Sequence, residues 1–219
     1  AKTFTRIGRE IIIAVKDSGP DPSTNSKLRA IIQNAKAANM PKDNIERAIK
    51  NASEKSTEDF KEILLEGYGP HGIAILVEAA TDNNNRTVAN IRSYFNKCDG
   101  NLATSGSVDF LFNHLCFFQI RDEGLDIEEL ELDLIDFGVT DLSKSESEIS
   151  ITAKFENFGS LQKELERRKF DIISSEFERE AITLKDLSED EIIKVEKLIN
   201  MIDEDDDVQN VYHNMKSDN

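Results

Sequence analysis

Residues 66–87 read EGYGPHGIAILVEAATDNNNRT and combine a glycine-rich turn, an apolar segment and a polar cluster. The apolar, β-branched run Ile73–Ala80 is typical of a buried strand. Phe60–Leu65 has a similar character, so we predict two strands joined by the loop 67–72. The asparagines after the second strand predict the capped start of a helix from about Asn85 to Lys97. The stretch therefore predicts a strand–loop–strand–helix unit.

The glycines of this loop, Gly67, Gly69 and Gly72, match the spacing of the dinucleotide-binding fingerprint. That fingerprint requires a helix directly after the glycines, because the helix N-terminus holds the phosphate. Here a strand-like run follows instead. We therefore predict a hairpin loop in which the glycines supply positive φ angles, and no cofactor site.

Downstream of this unit, strand-like and helical segments alternate as far as residue 213. The pattern predicts a Gly/Ser-rich loop at Gly100–Ser107, strands at Val108–Phe112 and Leu115–Ile120, a helix at Leu125–Phe137, strands at Gly138–Leu142 and Glu148–Ala153, a helix at Phe155–Lys169, an extended segment at Asp171–Leu184, a helix at Glu189–Ile202 and a strand at Val208–His213. Short strands alternating with helices in this order predict α+β domains of the split βαβ kind, not a doubly wound parallel sheet.

Upstream of the unit, the N-terminal region predicts three short helices. In the first, an apolar side formed by Phe4, Ile7, Ile11, Ala14 and Val15 lies opposite a basic stripe formed by Lys2, Arg6, Arg9 and Lys16. The second helix follows the cap residues Ser23, Thr24 and Asn25 and ends near Ala38.

On the second helix, Arg29 and Lys36 are seven residues apart and are predicted to share its outer face. The third helix is predicted to start at Met40-Pro41, with the proline in its first position. The polar segment Asn51–Thr57 (NASEKST) is predicted to be a linker.

The charge of the chain is unevenly distributed. Its 219 residues contain 27 Lys and Arg and 43 Asp and Glu, a formal net charge of −16. Residues 1–55 carry 11 basic and 6 acidic side chains, a net charge of +5, so residues 56–219 carry 16 and 37, a net charge of −21. A basic N-terminal region on an acidic body favours nucleic-acid contact through the basic part, although lysines on a solvated helix face explain the count equally well.

Several classes of protein are disfavoured. No apolar run reaches the roughly 18–20 residues of a membrane-spanning helix, and the first ten residues lack the apolar core of a secretory signal. Cys98 and Cys116 lack C-x-x-C spacing and are predicted to be small buried side chains of a reduced, cytoplasmic protein. Because no metal-ligand cluster, phosphate-binding lysine loop or catalytic pair stands out, we predict a protein that is not an enzyme and holds no cofactor or metal.

Three features of the acidic body are ambiguous. The run Asp203–Asp207 lacks the spacing of a calcium loop and is predicted to be a solvated helix end that repels nucleic acid. Arg86 and Arg92 are the clearest positive charges of the body, and either contact nucleic acid or form ion pairs. Thr104–Ser107 (TSGS) is either a plain exposed loop or one whose backbone N–H and hydroxyl groups meet phosphate.

Several blocks of sequence, taken together, resemble the YebC/PmpR family. They occur in the family's order and are LRAIIQNAKAANM (28–40), PKDNIERAIK (41–50), EGYGPHGIAILVEAATDNNNRT (66–87), NLATSGSV (101–108) and DDDVQNVYHN (205–214). The resemblance covers the chain nearly from end to end. It implies an N-terminal three-helix domain at 1–57 and an α+β domain at 58–118 plus 184–219. A third, βαββαβ domain at 119–183 is inserted in the second.

The resemblance also implies a function. Members of the family are described as DNA-binding transcriptional regulators, their mitochondrial relatives as translational activators of a cytochrome oxidase subunit, and some bacterial members are connected with ribosomes stalled on proline-rich chains. It thus implies a non-enzymatic partner of nucleic acid, either DNA or ribosomal RNA. The residues themselves show no clear dimer motif, so the oligomeric state is left open with a monomer favoured, and no membrane partner is expected. Family members usually begin with a further basic segment, and this chain begins at Ala1-Lys2-Thr3. A protein without that segment is expected to bind nucleic acid less tightly.

The candidate nucleic-acid contacts are the basic residues of the helical region and the two body arginines. They are Lys2, Arg6, Arg9, Lys27, Arg29, Lys36, Lys42, Arg47, Lys50, Arg86 and Arg92. Such side chains contact phosphates and give an affinity that falls with salt, with a log–log slope of about −0.9 for each duplex phosphate neutralised. No helix-turn-helix recognition surface or aromatic pair for reading bases stands out.

Overall fold

A computed structural model of the chain describes residues 2–54 and 59–217. Within these ranges there are seven α-helices and two four-stranded antiparallel sheets. The helices are α1 (Lys2–Ser18), α2 (Ser26–Ala37), α3 (Lys42–Ser53), α4 (Asn84–Lys97), α5 (Ile127–Leu134), α6 (Phe158–Arg167) and α7 (Glu189–Asp203). The strands are β1 (Lys61–Tyr68), β2 (Ala74–Thr81), β3 (Asn101–Ala103), β4 (Phe112–Arg121), β5 (Val139–Ser145), β6 (Glu148–Lys154), β7 (Ile172–Ala181) and β8 (Val208–His213).

The described residues form two compact units, and each is discontinuous in sequence. One unit takes its residues from the ranges 1–9, 58–113 and 179–219, and the other from 10–57 and 114–178. The three-domain limits predicted at residues 57, 118 and 183 follow the sequence resemblance and remain a prediction.

The N-terminal region forms the three predicted helices. In α1, Ile7, Ile11, Ala14 and Val15 are buried, as the apolar periodicity requires. The third helix differs by one position from the prediction, because Pro41 has a ψ of 142° and is the N-cap of α3 and not its first helical residue. The predicted linker Asn51–Thr57 lies partly outside the described residues, and its first three residues belong to α3.

The first unit is built on the sheet with strand order β3-β1-β2-β8. Its β1 and β2 form the predicted antiparallel hairpin, with Lys61 opposite Thr81 and Tyr68 opposite Ala74. Ile91 and Phe95 of α4 and Leu198 of α7 are fully buried in the core of this unit. The residues of 66–87 therefore form the strand–loop–strand–helix unit that their sequence predicts.

The second unit contains the sheet with strand order β5-β6-β4-β7. Its chain order β4-α5-β5-β6-α6-β7 is the predicted βαββαβ arrangement, and the strands joined by each helix are separated by another strand, as in a split βαβ fold. Phe118, Ile151, Leu134 and Leu161 are fully buried in its core. Because all four strands of this sheet come between β3 and β8 in the chain, one α+β fold is inserted in the other.

Two predicted elements near residue 105 were wrong. Val108–Phe112 is not a strand, because a 3₁₀ turn occupies Asp109–Leu111, and β4 begins only at Phe112. The Gly/Ser-rich loop also contains the short strand β3, which pairs with Glu66–Tyr68 of β1. A three-residue strand is too short to show an alternation of polar and apolar residues, so its sequence gave no signal.

The glycines of the loop 67–72 have different roles from one another. Only Gly72 has a positive φ, of +73°, whereas Gly67 and Gly69 allow close packing. A Cβ atom on Gly67 would lie 2.8 Å from the Phe95 ring. The loop is a hairpin connection with a 3₁₀ turn at Pro70–Gly72, and a strand follows it as predicted.

The two cysteines are buried and free, as predicted. Burial raises the pKa of the Cys116 thiol to about 12, so this side chain is an uncharged filler of the core. Among the described helices, none is both long and apolar enough to cross a membrane.

Candidate nucleic-acid interface

The two arginines of the basic stripe on α1 have carboxylate partners inside the first unit. Arg6 donates to the Asp203 side chain at 2.6 Å. Arg9 donates to the Asp207 carboxylate at 3.0 Å and to the Ala80 carbonyl at 2.8 Å, and its guanidinium lies 4.8 Å from the centre of the Phe60 ring. With side chains only 27% and 16% exposed, Arg6 and Arg9 are held by the fold.

Asp207 is the centre of this cluster, and its side chain is 8% exposed. It accepts hydrogen bonds from Arg9, Arg86 and Thr87, the last at 2.8 Å. Burial disfavours the charged form, but these three donors outweigh it and hold the pKa of Asp207 below its ordinary value. The prediction of a solvated acidic run at Asp203–Asp207 was therefore wrong for Asp207, because basic side chains from α1 and α4 enclose it.

The two body arginines have different surroundings. Arg86 lies 3.1 Å from Asp207 and 3.2 Å from Asp82, and the hydrogen bond and charge of Asp207 raise its pKa. Arg92, one and a half turns further along α4, is exposed and makes no ion pair with any residue in the ranges 2–54 and 59–217. Arg86 and Arg92 were predicted either to contact nucleic acid or to form ion pairs. Arg86 forms ion pairs.

At the start of α1, Lys2 is half-buried. Its Nζ atom has no hydrogen-bond partner among the residues that the structure describes.

Helix α2 is fastened to α6 and β7 by polar side chains within the second unit. Arg29 forms a two-bond ion pair with Glu166, with N···O distances of 2.9 and 3.1 Å. Gln162 donates to the Ser26 carbonyl at 3.0 Å, and the Asn34 side chain accepts from the Ser175 backbone N–H at 2.8 Å. Arg29 and Lys36 lie on the same side of α2, as the spacing predicts, but Arg29 is paired with α6 and only Lys36 is exposed.

The start of α2 is fixed by Asn25, which is 2% exposed. Its side-chain oxygen accepts from the Leu28 N–H at 3.0 Å, which is the predicted N-cap. Its amide group donates to the carbonyls of Ala14 and Gly19, at 2.8 and 2.9 Å. One side chain therefore joins the end of α1, the intervening loop and the start of α2.

The remaining basic residues of these helices are exposed. We call them the α2–α3 basic surface, which consists of Lys27, Lys36, Lys42, Arg47 and Lys50. Lys42 lies 3.8 Å from Glu46, and both side chains are more than 60% exposed, so this contact holds neither in place. Lys36, Arg47 and Lys50 make no ion pair with any described residue. Two helices joined by a short turn thus present cations directly to solvent.

The loop Thr104–Ser107 has its backbone donors engaged by a carboxylate. Glu66 of β1 is 2% exposed, and it accepts from the N–H groups of Gly106, Val108 and Asp109 at 2.7, 2.9 and 2.8 Å. Burial disfavours the charged carboxylate, but these three donors lower the pKa of Glu66 overall. Of the alternatives for this loop, phosphate binding through the Gly106 N–H is disfavoured, because Glu66 already occupies that donor.

Sequence patterns alone did not single out Glu66, Asp207 or Glu166 as partners of the site. Glu66 carried a weak signal, since a carboxylate that follows the apolar residues Ile63–Leu65 in a strand needs donors of its own if it is buried. Asp207 and Glu166 carried none, because each is one of many acids in a chain with 43. Among the described residues, no group of three or more His, Cys, Asp or Glu side chains is placed to hold a metal ion.

Comparisons with known proteins cover the whole chain. Residues 1–55 match the model of the TACO1/YebC protein N-terminal domain, and residues 60–215 match the model of the TACO1/YebC second and third domain. A probable transcriptional regulatory protein of Flavobacterium johnsoniae is 64% identical over 218 residues, which is 100% of this chain and 92% of that protein. One from Parabacteroides distasonis is 53% identical over 219 residues, which is 100% of this chain and 90% of that protein.

A solved structure has the same fold. The crystal structure of the conserved hypothetical protein Aq1575 from Aquifex aeolicus aligns with a TM-score of 0.79 at 38% identity, over 98% of this chain and 89% of that one. With both family models matched and relatives aligned along its full length, the chain belongs to the TACO1/YebC family.

Proposed function

We propose that this protein is a regulator of gene expression that binds nucleic acid through the α2–α3 basic surface, and that it acts as a DNA-binding transcriptional regulator. The names of its relatives, probable transcriptional regulatory proteins, support the regulatory role. One observation supports the α2–α3 basic surface over the other candidate cations. Four of the eleven candidate cations, Arg6, Arg9, Arg29 and Arg86, have internal carboxylate partners, whereas Lys36, Arg47 and Lys50 face solvent.

The exposed residues suit phosphate contact for a physical reason. An exposed lysine keeps a mobile ammonium group that can reach a phosphate and release a condensed counterion. An arginine already paired with a carboxylate must first break that pair. The acidic remainder of the chain, at −21 for residues 56–219, repels phosphate and so favours approach by the basic surface.

We also propose the chemical class, the location and the oligomeric state of the protein. We propose a non-enzymatic, cytoplasmic protein that binds as a monomer and needs no cofactor. The support is that the comparisons supply regulators as relatives.

A ribosome-associated translation factor that assists stalled, proline-rich synthesis is the second candidate function. The observation that favours it is that α2 and α3 contain no aromatic residue and that four of their five exposed cations are lysines, which contact phosphate as point charges. Such a surface recognises phosphate by position and shape, which ribosomal RNA offers widely.

The test is a triple charge reversal, Lys36→Glu/Arg47→Glu/Lys50→Glu, in the full chain. Its matched control is Lys97→Glu/Lys194→Glu/Lys197→Glu, which changes the net charge equally on the exposed parts of α4 and α7. Binding to labelled promoter duplex, to scrambled duplex and to ribosomes is measured over a range of salt concentrations. We expect the reversal to abolish binding and the control to lower it only modestly. In the wild type, the log–log salt slope on duplex should be about −2.7 if three phosphates are contacted.

The outcomes separate the candidates. Tight binding to promoter over scrambled duplex, lost in the triple variant, supports transcriptional regulation. Weak, sequence-blind duplex binding together with co-sedimentation on ribosomes, also lost in the variant, supports the translation factor. Equal binding by the triple variant and its control contradicts the α2–α3 basic surface as the interface.

A further inference from the structure

The outer side of α5 combines exposed apolar side chains with unneutralised carboxylates. Residues 122–136 contain eight Asp and Glu and no Lys or Arg. Leu130 and Leu134 of this helix are buried in the core, which fixes the orientation of α5. On the other side, Leu132 is 73% exposed and Ile135, in the 3₁₀ turn that continues the helix, is 61% exposed.

Three exposed carboxylates surround this apolar pair. Glu128 and Glu129 precede Leu132 by four and three residues, and Asp136 follows it by four, so all three are its neighbours on the helix surface. None of the three makes an ion pair with any residue in the described parts of the chain. We call Glu128, Glu129, Leu132, Ile135 and Asp136 the acidic–apolar face. Two other acids of the segment are engaged, since Asp133 pairs with Arg168 and Asp122 with Lys144.

We propose that the acidic–apolar face is a docking surface for a protein that presents a basic amphipathic helix, with apolar side chains flanked by Lys or Arg. Charge complementarity selects this partner, since the unpaired carboxylates repel phosphates and anionic lipid and attract cations. The apolar pair gives the contact a desolvated centre with a charged rim. The proposal concerns a surface other than the α2–α3 basic surface and does not depend on the nucleic-acid target.

A second copy of this chain fits the face less well. Its α2–α3 basic surface supplies cations, but no large hydrophobic side chain is exposed on α2 or α3 within the described ranges. Contact between copies would therefore leave Leu132 and Ile135 without an apolar partner. A different protein that itself binds nucleic acid carries basic segments for that purpose, and such segments often fold as amphipathic helices.

The test uses the full chain and a defined probe, a fluorescent peptide of about fourteen Leu and Lys residues with its leucines on one helical face. A second peptide has the same composition in an order that spreads the leucines around the helix. The binding variant is Leu132→Ser/Ile135→Ser. Its matched control is Ile182→Ser/Ile193→Ser, which removes two side chains that are 61% and 64% exposed elsewhere. Binding is measured by fluorescence anisotropy, and the contacted residues by backbone amide NMR shifts.

We expect the amphipathic peptide to bind the wild type and the control equally and the Leu132→Ser/Ile135→Ser variant about tenfold more weakly. The scrambled peptide should also bind about tenfold more weakly, and the NMR shifts should concentrate at α5. Glu128→Gln/Glu129→Gln/Asp136→Asn should weaken binding and flatten its salt dependence. Equal binding of both peptides, equal binding by the serine variant, or shifts located away from α5 would overturn the proposal. A dimer that forms as the protein concentration rises, and that the peptide dissociates, would also overturn the proposal, because a second copy of the chain would then occupy the face.

Discussion

The basic residues of the N-terminal helices fall into two regions with opposite surroundings. Arg6 and Arg9 on α1 end on Asp203 and Asp207, and Arg29 on α2 ends on Glu166. Lys36, Arg47 and Lys50 on α2 and α3 are exposed and make no ion pair with any described residue. Side-chain chemistry accounts for part of the difference, because the planar guanidinium forms fixed, paired hydrogen bonds and the ammonium is a mobile, strongly hydrated charge. Arg47 is exposed and makes no ion pair with any described residue, so its position on α3 also matters. A count of positive charge in this region therefore overstates the charge that is available to a partner.

The largest effect is expected where the paired region is most buried. Asp207→Ala removes the carboxylate shared by Arg9 and Arg86 and the acceptor of the Thr87 hydroxyl. We expect a loss of about 3 kcal/mol in the free energy of unfolding, because Arg9, whose side chain is 16% exposed, and the buried Thr87 hydroxyl lose their partner. Urea denaturation measures it, with the exposed neighbour variant Asp206→Ala as the control. Equal stability of the two variants would contradict the central role of Asp207.

Glu66→Gln is expected to cost about 2 kcal/mol, because one amide oxygen replaces a carboxylate that accepts three backbone hydrogen bonds. The pKa of Glu66 is lower in the folded protein than its ordinary value. Its contribution to stability is therefore complete above the unfolded-state pKa, near 4.3, and is lost as the pH falls through the lower folded-state value. Stability measured from pH 3 to pH 7 should fall less steeply at the acid end in the variant. If the stability of the wild type and of the variant changed with pH in parallel, a charged Glu66 would not be what holds the loop.

A matched pair of substitutions on one helix gives the sharpest test of the comparison. Arg29→Gln breaks the ion pair with Glu166 and should lower the free energy of unfolding by about 1 kcal/mol, since the pair is partly exposed. Lys36→Gln should leave stability unchanged and make the salt slope of duplex binding shallower by about 0.9. Chemical denaturation and anisotropy are measured on both variants. If Arg29→Gln changed binding more than Lys36→Gln, the division into paired and available cations would be wrong.

The smallest effect is expected within the exposed region. Lys42 and Glu46 are 3.8 Å apart, with side chains 83% and 64% exposed. A double-mutant cycle of Lys42→Ala and Glu46→Ala should give a coupling energy of about 0.3 kcal/mol, which salt should reduce further. A coupling energy near that of a buried pair would mean that Lys42 belongs to the paired region.

The sequence predicts the local features well. The apolar stripe of α1, the Asn25 and Asn83 caps and the βαββαβ order each depend on residues close together in the chain. The partners of the arginines could not be predicted, because Arg6 and Asp203 are 197 positions apart and Arg29 and Glu166 are 137 apart. The candidate residues were chosen by charge, and charge alone does not distinguish a paired arginine from an exposed lysine.

The attachment of α2 has a consequence for synthesis of the chain on the ribosome. Ser26 and Asn34 bond to Gln162 and Ser175, which are added about 140 residues later. Ala30, between them, belongs to the same core as Phe118 and Leu161. At roughly 5–20 residues per second, this helix waits on the order of 10–30 s before Ala30 and the polar side chains of the helix can meet these partners. The order of translation thus leaves the polar attachments of α2 incomplete until residue 175 is added, and a chain that terminates before residue 175 lacks the β7 partner of Asn34.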